Sequence, residues 1–477
     1  MGCEKNRTVP PWLQGTLVRV GPGLFSVGET SYDHWFDGMS LLHSFTIKDG
    51  NVFYRSRFLR GDTYKANMEA KRIVISEMGT MAYPDSSKSI FSKFITFLNH
   101  TVPDFTDNCG NNIIRYGNNF YATSETNYIR KIDPITLETH DKVDYMKYLP
   151  VNIVTSHPHY DKEGNAYNMG TSIADKAKTK YILFKVPAEK EGMCMRLKII
   201  CTLPCRSVFS PSYYHSFGMT ENFFIFIEQP LKLDILKMAT AYMRGVNWAS
   251  CIKYLPDDNT LIQLIDRRTK KVVHKFYTDA MVVHHLVNAY EEDGHAVLDV
   301  IAYCDNSLYD MFYLSKMKEG PESQGSKDTD FTSKYKRLVL PLSDKGAGTG
   351  ENIVKLKHTT ATAVKEKDGK ILCHPEILCE GMITTKVGLI IGKFDAETKK
   401  MIEWSEESCL PSEPVFIPKP NAVEEDDGVV LTSVINLNPG KSFLLVLDAK
   451  SFKEVARSYV NTDLHMDMHG YFIPECS

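Results

Sequence analysis

The feature that most constrains this chain is a turn that keeps returning. Lys131-Ile132-Asp133-Pro134-Ile135-Thr136 is echoed by Leu264-Ile265-Asp266-Arg267-Arg268-Thr269. It is echoed again by Lys393-Phe394-Asp395-Ala396-Glu397-Thr398 and Val446-Leu447-Asp448-Ala449-Lys450-Ser451. Each copy is a strand end, an Asp, a turn, a Thr or Ser, and another strand. The Asp carboxylate can accept from backbone N–H groups two or three residues on, which fixes the turn. The four Asp residues are separated by 133, 129 and 53 positions. The first two gaps are near three times a blade period of about 40–50 residues, which favours a β-propeller. The competing reading is that Asp-x-x-Thr is a common hairpin turn and nothing more.

Short strands fill the space between such turns. Residues 52–58 alternate, and 120–124, 181–186, 223–227, 296–303 and 443–447 are rich in β-branched or aromatic residues bounded by Gly, Asn and Asp. Two segments read as helices, residues 90–98 and Leu231 to Arg244. The polar stretch 319–334 reads as a mobile surface loop. A length of 477 residues would suit about three domains, but all-β folds often run as one, and residues 1–477 are taken as a single propeller domain.

Composition removes several function classes. A formal net charge of -3 gives no basic excess for nucleic acid. No apolar run approaches the ~20 residues of a membrane span, and no secretory hydrophobic region follows Met1. The 11 Cys form no Cys-x-x-Cys pair, which argues for reduced thiols in the cytosol rather than disulfides or structural zinc. Gly346, Gly348 and Gly350 complete neither phosphate-binding motif.

Chemistry is concentrated in histidine. Of 15 His, those in Thr155-Ser156-His157-Pro158-His159, Ser212-Tyr213-Tyr214-His215-Ser216-Phe217, His284-His285-Leu286-Val287-Asn288 and His465-Met466-Asp467-Met468-His469-Gly470 stand out by their surroundings. Neutral imidazole is the commonest ligand of divalent first-row metals, and a propeller can send one residue per blade to its axis. For any single His, a hydrogen-bonded structural role is the competing reading.

At these residues the sequence resembles the carotenoid cleavage oxygenases. The resemblance runs from Trp12 to Ile473 and rests on several motifs. They include Gly21-Pro22-Gly23, His34-Trp35-Phe36-Asp37-Gly38, Ser124-Glu125-Thr126-Asn127, Pro411-Ser412-Glu413-Pro414 and Glu425-Asp426-Asp427-Gly428. It implies a seven-bladed β-propeller with a helical and loop cap over a metal-bearing axis. It also implies one Fe(II) per chain held by His157, His215, His285 and His469, with Glu125 and Glu413 hydrogen-bonded behind ligand histidines. The family places its third ligand three residues before the Asn of Asn288-Ala289, which selects His285; His284 stands where relatives usually have Phe. A shift of one residue would turn the side chain to the other face of a strand.

The implied activity is O2-dependent cleavage of the central 15,15' double bond of β-carotene into two retinals. The segment Asp234 to Tyr242 is similar to central-cleaving members. The alternatives are 9',10' cleavage, retinoid isomerisation, or an impaired carotenoid-binding propeller. Tyr213, Tyr214 and Phe217 are candidates for the substrate tunnel, and Ser89 to Leu98 for peripheral membrane contact by a cytosolic protein. Three departures from the family are legible. Ile383 stands where a third carboxylate is expected, the chain is about two strands short after Val387, and no strand is expected before Trp12. One blade is therefore expected to be incomplete.

Overall fold

The four recurring Asp residues close their hairpins in the same way. Oδ1 of Asp133, Asp266, Asp395 and Asp448 accepts the backbone N–H of Thr136, Thr269, Thr398 and Ser451 at 2.8, 2.5, 3.0 and 2.7 Å. The next residue in each case, Leu137, Lys270, Lys399 or Phe452, takes a left-handed backbone with φ of 57 to 60°. Four non-glycine residues thus accept the same unfavourable conformation because the carboxylate fixes the turn before them.

These turns belong to a computed structural model that describes residues 4–5, 9–82, 106–175, 178–188, 196–244, 247–323, 333–380 and 390–475. Its strands form seven blades. The first joins Gly15–Leu24, Met39–Lys48 and Asn51–Phe58, and His469–Pro474 pairs with Gly15–Leu24, so the two ends of the chain close the ring. The second is Asn112–Tyr116, Asn119–Thr123, Tyr128–Ile132 and Thr139–Asp144. The third holds Ile153–Val154, Ala166–Asp175, Lys178–Val186 and Lys198–Pro204, and the fourth Gly218–Met219, Phe223–Glu228, Thr260–Asp266 and Lys271–Thr278. The fifth is Val282–Glu292, His295–Tyr303, Lys334–Pro341 and Glu376–Glu380. The seventh is built on Gly428–Asn436, Phe443–Asp448 and Glu454–Tyr459, with Cys409–Pro411 on its inner side. Full burial of Leu298, Val300, Leu338, Leu445 and Val446 marks the apolar layers between blades.

The sixth blade is short. Among the described residues it consists of Ile391–Asp395 and Lys400–Trp404 alone. The Asp395 turn identifies them, because the same turn joins the third and fourth strands of the second, fourth and seventh blades. Among the described residues it is therefore the inner pair that this blade lacks. Ile383 and Val387 lie outside the described residues, as do residues 89–98.

Three expectations need correction. A short strand does precede Trp12: Glu4–Lys5 pairs antiparallel with Tyr459 and Ser458 on the open edge of the seventh blade. Leu231 to Arg244 is not all helix; Leu231–Leu233 pairs with Ile252–Tyr254, and helix runs over Ile235–Arg244. The break is at Asp234, whose carboxylate accepts the Lys237 N–H at 2.9 Å, an N-cap arrangement. Residues 319–334 are not simply a loop, since helix covers Leu314–Ser323 and strand begins at Lys334. Helices Asp62–Ala70 and Ser307–Met311 were not anticipated; at nine and five residues they are too short for a clear apolar period.

Candidate metal centre

Four blades each bring one imidazole to the same point. His157 follows Ile153–Val154, His215 precedes Gly218–Met219, His285 lies in Val282–Glu292 and His469 opens His469–Pro474. One ring nitrogen from each lies within 4.8 Å of the others. The Nε2 atoms of His157 and His215 are 2.9 Å apart. Two nitrogens each about 2.1 Å from one ion and at right angles would lie about 3 Å apart, so the spacing suits a shared metal.

Carboxylates orient two of the rings. His215 Nδ1–H donates to Glu125 Oε1 at 2.5 Å, and His469 Nδ1–H donates to Glu413 Oε1 at 2.6 Å. With Nδ1 protonated, each Nε2 presents its lone pair to the centre. Burial pushes the His215 imidazole down to about 3, helped by the nearby His469. Burial and the neighbouring rings also push His157 and His285 well below the ordinary range. Those three are therefore neutral donors at physiological pH, the form a metal needs.

The carboxylates are themselves anchored differently. Glu125 also accepts the Tyr213 hydroxyl, and burial raises its carboxyl to about 8 despite that bond. For Glu413 burial is outweighed by His469 and Arg19, and the group is held below the usual range. Arg19 is fully buried; its Nη1–H donates to the Glu413 backbone carbonyl at 2.9 Å and its Nε–H to Asp467 Oδ1 at 2.6 Å. Asp467 also accepts from His43 at 2.7 Å and Ser433 at 2.6 Å. Gly470 lets the His469 strand pass this cluster, since a Cβ there would stand 2.5 Å from Val18 O and 2.8 Å from Arg19 Cγ.

Neighbouring His284 and His285 both face the centre. Val283 pairs with Ala302 and His285 with Ile301, which leaves His284 as the extra residue of a β-bulge. The strict alternation assumed from sequence fails there, so a one-residue shift does not send His284 to the far face. Its ring stacks on His215 with centroids 3.9 Å apart and planes at 10°. Ser216 fixes the strand beside them: its Oγ donates to His284 O and accepts from Leu286 N–H, both at 3.0 Å. Among the described residues no carboxylate hydrogen-bonds His285. His159 and His465 stay outside the group, bonded to the backbone carbonyls of Phe217 at 2.7 Å and Leu41 at 3.1 Å.

A cavity opens from the histidines into the cap. His215, His284, His285 and His469 form one end, and Trp35, Phe36, Met78, Leu233, Met238, Trp248, Leu308 and Phe312 form much of the wall. Such a lining suits a long apolar ligand. Tyr213 lines the cavity, but the lining among the described residues includes neither Tyr214 nor Phe217. Those two turn into the packing between the third and fourth blades, against Tyr181 and Phe226. Of the three aromatic residues expected at the tunnel, Tyr213 alone lines this cavity among the described residues. Arg19, Ser216 and Tyr309 were missed from sequence. A charged Arg19 inside Leu17-Val18-Arg19-Val20 was the signal available, because a cation in an apolar strand requires a buried partner.

The profile of the family described as "Retinal pigment epithelial membrane protein" matches residues 5–474. The Gallus gallus protein named "Beta,beta-carotene 15,15'-dioxygenase" is 56% identical over 503 residues, covering 99% of this chain and 95% of its own. Homo sapiens "Carotenoid-cleaving dioxygenase, mitochondrial" is 38% identical, covering 98% and 87%. The fold is similar to that of cobalt-substituted Synechocystis apocarotenoid oxygenase, with a TM-score of 0.74 at 19% identity, covering 99% of this chain and 95% of that one.

Proposed function

This chain belongs to the retinal pigment epithelial membrane protein family, that of the carotenoid oxygenases, and we propose that it is an iron(II)-dependent dioxygenase that cleaves the central 15,15' double bond of β-carotene. The products are two molecules of all-trans-retinal, with one oxygen atom of O2 entering each. The observation that carries this reading is the convergence of four imidazoles at the end of an apolar cavity. The higher identity to the 15,15' enzyme than to the mitochondrial relative supports central cleavage over the alternatives.

His157, His215, His285 and His469 would hold the iron, which when bound supplies the binding and activation of O2. Four imidazole ligands would leave its +2 charge uncancelled, which suits that chemistry. Glu125 and Glu413 fix the tautomers and ring planes of two ligands. The aromatic and aliphatic walls exclude water and hold the polyene beside the centre by apolar burial. Among the described residues no helix is long and apolar enough to cross a membrane. We place the protein in the cytosol, with residues 89–98 as its contact with the lipid that carries its substrate, and residues 1–477 as one propeller domain.

Purified protein supplied with Fe(II), O2 and β-carotene tests the reading. C20 retinal as the product supports it; an apocarotenal with an ionone moves the cut to the 9',10' bond. Elemental analysis distinguishes iron from zinc. A second reading, an impaired carotenoid binder, is favoured by the short sixth blade and by the absence of a described carboxylate on His285. Carotenoid binding without O2 uptake, at substoichiometric iron, would select it.

A further inference from the structure

One histidine at the centre is left without a task by the four-ligand reading on which this inference rests. His284 is delivered by the bulge, lines the cavity and lies flat on His215 with ring centroids 3.9 Å apart. Its Nδ1 is 3.3 Å from the Tyr309 hydroxyl. The Tyr309 ring meets that of Tyr213 edge-on at 5.7 Å, and Tyr213 donates to Glu125, which holds His215 Nδ1. His215 is thus gripped twice. The Glu125 hydrogen bond fixes its rotation within the ring plane, and the stacked His284 blocks tilting out of that plane.

We propose that His284 is a positioning residue that holds His215 in ligating orientation by stacking, with Tyr309 keeping the His284 ring parallel. The bulge is required for this. In a regular strand consecutive side chains point to opposite faces, and His284 could not reach the centre together with His285. Ser216, next to His215 in the chain, is bonded to the backbone on both sides of His285, which fixes how far the bulged strand advances past His215. The stack and the ligand therefore move as one unit. A second grip has a function here, because an ion held by four uncharged rings depends on ring orientation rather than on net charge attraction.

Cobalt(II) serves as the test, read by chelator competition and by visible d–d absorption in the full-length protein. His284→Ala should weaken Co(II) affinity about tenfold, the low end for loss of an outer support, and shift the absorption bands. His284→Phe keeps a flat ring and should restore affinity to within about threefold and return the bands, the range left to the lost Tyr309 bond. Unchanged affinity and bands in His284→Ala would overturn the proposal. So would equal losses in Ala and Phe, or a fall in the metal-free Tm with Co(II) affinity intact. Failure of the unsubstituted protein to bind one Co(II) per chain would instead sink the four-histidine metal reading itself.

Discussion

Arg19 Nη1–H donates to the backbone carbonyl of Glu413 at 2.9 Å, so the carboxylate that orients His469 is anchored by a cation from the opposite end of the chain. The bond joins the seventh blade to the first, the blade in which the two ends of the chain pair to close the ring. Arg19 sits one position from Val20, the register partner of His469. Closure of the propeller and placement of the fourth imidazole are thus one structural event.

Arg19→Met should accordingly cost stability and site geometry together. It leaves Asp467 buried without its cation, a loss of about 3–5 kcal/mol for one partner of a buried pair. Denaturant unfolding measures that loss. Adding Asp467→Asn to the same chain should recover part of it, because the stranded charge is then gone. If Arg19→Met unfolds like the unsubstituted protein, the ion pair is not supporting the fold.

The two carboxylates should matter to the metal more than to the fold. Glu125→Gln and Glu413→Gln keep size and hydrogen-bonding capacity but weaken the acceptor behind each ligand, and Glu413→Gln also loses a charge that raises ligand basicity. Each should lower metal affinity by about 10–100-fold. The Glu413 change should be the larger, because that carboxyl is the one held anionic by His469 and Arg19. Competition with a chelator gives the ranking, and the reverse order would count against this account.

The blade turns were legible because one carboxylate fixes each of them, a local interaction that spacing preserves. The histidine segments were legible as sequence, but their convergence depends on pairings hundreds of residues apart. His284 shows the limit. Period-two reasoning places it opposite His285, and only the pairing of Val283 with Ala302 and His285 with Ile301 reveals the inserted residue. The packing of Tyr214 and Phe217 was not legible in the sequence for a related reason. Aromatic residues beside a ligand suit a tunnel and a core equally, and their direction is set by the neighbouring blade.

Buried Asp37 gives the protein a pH dependence of definite sign. Burial raises its carboxyl to about 7, against hydrogen bonds from Thr80 Oγ1 at 2.6 Å and Gly79 N–H at 3.0 Å that favour the anion. Between its ordinary value of 3.8 and about 7 the folded state holds a proton that the unfolded chain has released. Stability must therefore fall as pH rises through that window, by about 4 kcal/mol in all from this group. Asp37→Asn cannot ionise. The stability of the unsubstituted protein relative to Asp37→Asn should be greatest near pH 4 and smallest at pH 8, by urea unfolding. A difference that does not change with pH would refute the assignment.

The sixth blade should be the weak point of the ring. Its two described strands, Ile391–Asp395 and Lys400–Trp404, pair only with each other. An isolated hairpin is marginal in water, and this one is attached to the seventh blade by Ile391 and Trp404 against the cluster around Cys409 and Phe443 and by Lys393, which reaches Asp426 at 2.6 Å and the Ala449 carbonyl at 3.0 Å. Met401 and Ile402 on its second strand are 44% and 47% exposed, an apolar edge of the kind that invites association. Phe443–Asp448, by contrast, is paired on both sides and buried through Leu447. Local opening free energy tracks such differences in burial and pairing. Hydrogen exchange followed by mass spectrometry should find the amides of 391–404 exchanging by local opening, well before those of 443–448. Ile402→Lys should reduce concentration-dependent association without altering the exchange of 443–448. Equal protection of the two hairpins would mean that the inner half of the blade is supplied in a way that the described strands do not reveal.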